Sequence, residues 1–164
     1  MKHAALFSLV VGLVAMLSAV AAAQGPPEYG ASITLEQAKK AMASAEAEAT
    51  KNKWPVVITI VDPGGHIIMV QRLENAQWGS VDISREKARA SVALRRPTKA
   101  LQDGIAQGGV NLRLLSNVGL PFSVLEGGVP IVMGGKLIGG IGVSGVLSSQ
   151  DAQVAQAGVD ALSK

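Results

Sequence analysis

Apolar positions along this chain recur in three rhythms, and each rhythm predicts a different element. In "SITLEQAKKAMASAEAEATKNK", Leu35, Ala38, Met42, Ala45 and Ala49 repeat at helical spacing. Thr34 and Gln37 stand where a capping box would satisfy two free amides of the first turn. The stripe is narrow and mostly alanine, so the helix should lie close to its partner, and Pro55 ends any continuation. "VVITIV", Val56 to Val61, is an unbroken β-branched run of the kind buried on both faces of a sheet. Asp62-Pro63-Gly64-Gly65 supplies turn chemistry, and "HIIMVQR" returns as an antiparallel strand. "VDISREKARASVALRR" reads as a second helix stopped by Pro97, and Thr98 as the cap of a short third helix through Gln102. From Gly104 to Phe122 the periodicity is weak and predicts no definite element.

The last third is clearer. "VPIVM" and "LIGGIGV" are short strands joined by Gly134-Gly135-Lys136, a hairpin by composition. Ser148 or Ser149 caps a final helix, "SQDAQVAQAGVDALSK", with Val154, Ala157 and Ala161 on one face. The order predicts an α/β fold: an antiparallel sheet of about five strands with helices packed on it.

The apolar run from Ala4 to Val20 has no such rhythm. Lys2 precedes it and Ala21-Ala22-Ala23 closes it, which is the pattern of a secretory signal. The run approaches membrane-spanning length. Its alanine-rich end and the following Gln-Gly-Pro-Pro nevertheless favour cleavage over a permanent membrane anchor. The expected organisation is a signal peptide over residues 1–23, an extended arm over 24–33, and one domain over 34–164. Removal of the signal would leave 141 residues, enough for one cored domain, in the periplasm or outside the cell.

Composition narrows the chemistry. The chain has no cysteine, which excludes disulfides and thiolate zinc or iron–sulfur sites. A formal charge of +3, with no basic stripe beyond Arg95-Arg96, gives no footprint for nucleic acid. At 3% aromatic residues there is no platform for stacking bases. No serine stands in a nucleophile elbow and no paired carboxylates are spaced for hydrolysis.

Four features remain. Gly140-x-Gly142-x-x-Gly145 superficially matches a dinucleotide fingerprint. The chain after it holds one helix and no second parallel strand, so that reading fails. The glycines instead predict a helix or second subunit lying against the strand backbone. A weaker reading has the amides near Ser144 and Gly145 holding an anion. His66 is either a solvated turn residue or an iron ligand or acid/base group, and one axial histidine suffices for haem. Lys87 is either an edge residue with its stem buried or an amine directed into a pocket. Arg72 and Asp62 flank the hairpin and are expected to face one another.

Two stretches carry a resemblance. "IVDPGGHIIMVQRLENAQWGSVDISREKARAS" and "EGGVPIVMGGKLIGGIGVSGVLSSQDAQVAQAGVDAL" resemble the opening and closing hairpin-plus-helix units of the GlcG/HbpS family of haem-binding proteins, which includes the PduO C-terminal domain. Asp62, Gly65, His66, Arg72, Ala76, Ser84, Lys87 and Ala88 fall at matching positions. So do Gly128, Pro130, Gly135, Gly142 to Gly145 and Asp151. The sequence departs from the pattern at Leu73-Glu74-Asn75, where the family usually has Met-Asp-Gly, and at Arg95-Arg96, where small residues are usual.

The resemblance implies a PAS- or profilin-like α/β/α fold that assembles into homo-oligomers, and a haem or, less readily, a corrinoid as cofactor. It implies a slot lined by Ile67 and Met69, with Arg72 and Lys87 pairing with propionates. His66 is the candidate metal ligand, with Met69, Met133 and Tyr29 as substitutes. Thr98 and Gly145 complete the candidate binding set. Three functions follow: a haem-binding protein for storage, sensing or degradation; an enzyme or carrier for a small organic acid or corrinoid, with Lys87, Arg72 and glycine-rich amides as an anion cradle; or an interaction module with no small ligand.

Overall fold

The computed structural model describes residues 25–116 and 122–163. The segment read as a signal peptide lies outside these residues. Among the described residues no helix is long and apolar enough to cross a membrane.

The elements run β1 (Glu28–Tyr29), α1 (Leu35–Lys51), β2 (Val57–Val61), β3 (Ile67–Arg72), α2 (Ser80–Ala93) and α3 (Lys99–Ala106). A 3-10 segment, Gly109–Ser116, is followed by β4 (Gly128–Met133), β5 (Lys136–Ser144) and α4 (Ser148–Asp160). β5 pairs antiparallel with both β4 and β2, and β3 pairs antiparallel with β2. This is the expected mixed α/β fold on a five-stranded sheet. One pairing departs from expectation. β1 runs parallel to the start of β5, with Glu28 opposite Lys136, inside the stretch read as an extended arm with no strand assigned to it. Two residues are too few to show an alternating pattern. The arm is held instead by Gly30 donating to the Leu137 carbonyl and by Tyr29 Oη donating to the Val92 carbonyl.

Helices α1 and α4 cover one face of the sheet. Ala38, Met42, Ala45 and Ala49 are buried there with Ile58, Ile60, Ile141, Val143 and Val154. Each fully buried branched side chain contributes roughly 1.5–3 kcal/mol. Leu35 belongs to the same stripe but lies exposed in the first turn, beyond the edge of the layer. The Thr34–Gln37 capping box forms in both directions, at 3.1 and 2.9 Å.

Helix α2 covers the other face, pressed onto β5 without intervening side chains. A Cβ on Gly142 would lie 2.1 Å from the Ser84 carbonyl oxygen, and one on Gly140 would lie 2.6 Å from Ser91 Oγ. The glycine run is therefore a seat for a helix. Two expected caps are replaced. Thr98 has helical backbone angles and caps nothing with its side chain, and α3 continues to Ala106. The N-cap of α4 is Leu147, whose amide is received by Gln150 Oε1 at 3.3 Å.

Candidate functional site

The first hairpin is closed by backbone bonds from Asp62 N to His66 O (2.9 Å) and from Gly65 N to Asp62 O (3.0 Å). Gly65 has φ of +81°, a left-handed conformation that glycine adopts freely. The Asp62 carboxylate accepts the His66 amide at 2.9 Å, and both of its oxygens lie 3.2–3.3 Å from His66 Nδ1. Burial raises the Asp62 carboxyl pKa, but the bonds from the His66 amide, the His66 ring and the Gly64 amide outweigh it and hold the pKa below the ordinary value. A carboxylate facing Nδ1 favours the proton there, which leaves the Nε2 lone pair outward. The His66 side chain is 81% exposed. Gly64 makes the arrangement possible, because a Cβ there would lie 2.9 Å from the imidazole.

The other expected residues scatter. Strand register places Val61 opposite Ile67 and Ile60 opposite Met69, with a bulge between. The extra residue breaks the two-residue alternation. Ile68 and Met69 pack on the α1 core, whereas Ile67 is half exposed and Val70 lies opposite Thr59, on the α2 side. Ile67 and Met69 therefore do not line one slot. Arg72 is exposed and its Nε donates to the Ala76 carbonyl at 2.8 Å, while Asp62 is taken by His66, so the expected Arg72–Asp62 pair is not formed.

Lys87 is 1% exposed. Its Nζ donates to Asp151 Oδ2 at 2.7 Å and to the Val143 carbonyl at 3.0 Å. Burial pushes the Asp151 carboxyl up, against the opposing pull of the Lys87 ammonium. Asp151 also accepts the amides of Val146 and Gly145. The anion held by the glycine-rich amides and by Lys87 is thus the protein's own carboxylate, in place of an external acid or a propionate. Thr98 joins this interior group, its Oγ1 accepting from Gly128 N at 2.9 Å. A Cβ on Gly128 would lie 2.2 Å from the Lys87 carbonyl oxygen. Gly145 packs so close to Pro55 that a Cβ would lie 2.3 Å from its carbonyl oxygen. The structure gathers Lys87, Thr98 and Asp151 and leaves His66, Met69 and Arg72 apart from them.

What does adjoin the hairpin is a cleft of about 310 Å³, lined by Tyr29, Gly64, Gly65, Arg89, Val92 and Phe122 among others. Arg89 lies across Gly65, its Nε 3.5 Å from where a Cβ would be. Its guanidinium has no hydrogen-bond or ion-pair partner among the described residues. Sequence reasoning passed over Arg89. It sits two positions from Lys87, about 200° around a helix, and so faces away from it. Of the substitute axial donors, Tyr29 bonds to Val92, and Met133 Sδ accepts from Gln37 at 3.5 Å. Among the described residues no cluster of three or more His, Asp or Glu side chains could enclose a bare metal ion. The donor set fits a metal that brings its own equatorial ligands: one imidazole nitrogen, a nearby cation and an exposed apolar strip of Ile67 and Val70.

Residues 33–160 match the family described as haem degrading protein HbpS-like. The chain is 36% identical over 134 residues to an uncharacterized 15.0 kDa protein in the dhaT-dhaS intergenic region of Citrobacter freundii, covering 82% of this chain and 94% of that one. It is 38% identical over 115 residues to protein GlcG of Escherichia coli K12, covering 68% and 81%. A solved PduOC:haem complex superposes with a TM-score of 0.74 at 28% identity, covering 79% of this chain and 94% of that one. The corrinoid adenosyltransferase PduO of Salmonella typhimurium is 31% identical over 119 residues, 73% of this chain but 35% of that protein.

Proposed function

Because the chain belongs to the HbpS-like family of haem-degrading proteins, we propose that it binds haem at the outer face of its first hairpin, with His66 Nε2 as the iron ligand. The observation that carries this reading is the His66 ring itself, held through Nδ1 by Asp62 with its second nitrogen directed outward. The solved haem complex of a protein with the same fold supports the class of ligand. Arg89, with no partner among the described residues, takes the role of propionate partner in place of Lys87, and the Ile67–Val70 strip offers apolar contact. Bound there, haem would supply a redox-active iron. His66 would hold the iron, Asp62 would fix the imidazole tautomer and Arg89 would neutralise a carboxylate.

Haemin titration of the chain tests this directly. A saturable Soret shift is expected, abolished in His66→Ala and weakened about tenfold in Arg89→Ala, the scale of one charge-assisted bond. A Soret shift unchanged in His66→Ala would remove the histidine from the site. Decay of the bound Soret band under reductant and dioxygen together would distinguish degradation from storage.

A corrinoid is the second reading, favoured by the likeness to the adenosyltransferase PduO. Competition between cobalamin and haemin for one site separates the two. We further propose a secreted or periplasmic chain, from Lys2, the apolar run and Ala21-Ala22-Ala23, and expect a mature protein beginning at Gln24 by mass. A homo-oligomer is proposed from the position of β3 at the open edge of the sheet, to be read by light scattering.

A further inference from the structure

At the opposite end of β3 from the hairpin lies a larger cleft, about 500 Å³, between the end of α1 and the loop that leaves β3. Glu46, Lys53, Trp54, Leu73, Glu74 and Asn75 line it. Three charges of both signs face this cleft, and none of the three has a side-chain partner among the described residues. The neighbouring Glu48 shows the contrast, since its carboxylate takes Asn52, Gln153 and Lys51.

A left-handed residue stands on each lip of the cleft. Lys53 follows the C-cap Asn52 with φ of +59°, at the position where helices usually place glycine. Asn75 on the other lip has φ of +61°. The left-handed backbone sets the direction in which the Lys53 side chain leaves the chain at the edge of the cleft. Trp54 is half buried against the α1-side core and presents indole surface to the cleft.

We propose that this cleft binds a small zwitterion, its cationic group held by Glu46 and Glu74 beside the Trp54 indole and its carboxylate held by Lys53. Two carboxylates and an aromatic ring favour a planar or alkylated cation over a bare anion. Lys53 then selects against a ligand that is cationic throughout. The cleft shares no residue with the His66 hairpin, so this inference does not rest on the haem reading.

Trp54 is a built-in reporter. Trp78→Phe leaves it as the single indole of the chain. In that background L-arginine should give a saturable change in Trp54 emission in the millimolar range. Agmatine, which lacks the carboxylate, and glutarate, which lacks the cation, should bind about tenfold more weakly or worse. Glu74→Gln and Lys53→Ala should each weaken L-arginine about tenfold, with melting temperature and haemin titration unchanged. No saturable response to any of the three probes would overturn the proposal. So would equal binding of agmatine and L-arginine, or an arginine response that survives both substitutions.

Discussion

His66 gains its chemical character from a residue four positions before it. Asp62 is held ionised at lower pH than a free aspartate, chiefly by the His66 amide and ring against the cost of burial. A carboxyl with a lowered folded pKa contributes stability that is complete above the unfolded value and is lost as pH falls through the folded one. Asp62→Asn should therefore flatten the acid limb of a melting-temperature profile while changing stability at pH 7, and an unaltered acid limb would contradict the assignment. In the interior, Asp151→Asn leaves the Lys87 charge without its counter-ion. It should destabilise by about 3–5 kcal/mol in urea unfolding, and Lys87→Met added to Asp151→Leu should recover much of the loss. His66 could be picked out because it is the one histidine beyond residue 23. The role of Lys87 could not, since its partner is 64 positions away and only the fold brings them together.

Among the elements, period decided what could be read. The alanine stripe of α1, the β-branched run of β2 and the Gly134-Gly135 hairpin are each stated by their own residues, and the structure contains all three. Where one inserted residue or one distant carbonyl sets the outcome, the pattern carried no signal. The bulge at Ile68 turned Met69 away from Ile67, Gly128 claimed Thr98, and two residues of the arm became β1. The contact of α2 on β5 gives a sharp comparison. Gly142→Ala should cost at least about 2–3 kcal/mol, because the new Cβ meets backbone that cannot give way. Gly134→Ala, at a turn with open space and φ of +54°, should cost only about 1–2 kcal/mol. Chemical denaturation of the two variants reads the difference directly.

For the molecule as a whole, the α/β/α arrangement separates two tasks. The layers are fastened through the interior by small residues and the Lys87–Asp151 pair, and the two clefts lie at opposite ends of β3. The expected enclosed slot with lysine and arginine at its rim is replaced by an outward imidazole beside a shallow cleft. The most direct test follows the imidazole itself. Freed of residues 1–23, the chain contains a single histidine, so a nitrogen-detected histidine spectrum holds one ring. On addition of zinc protoporphyrin, a diamagnetic analogue that takes one axial ligand, the His66 Nε2 resonance should move while Nδ1 stays protonated against Asp62. An Nε2 resonance that stays in place while the porphyrin binds would contradict the account.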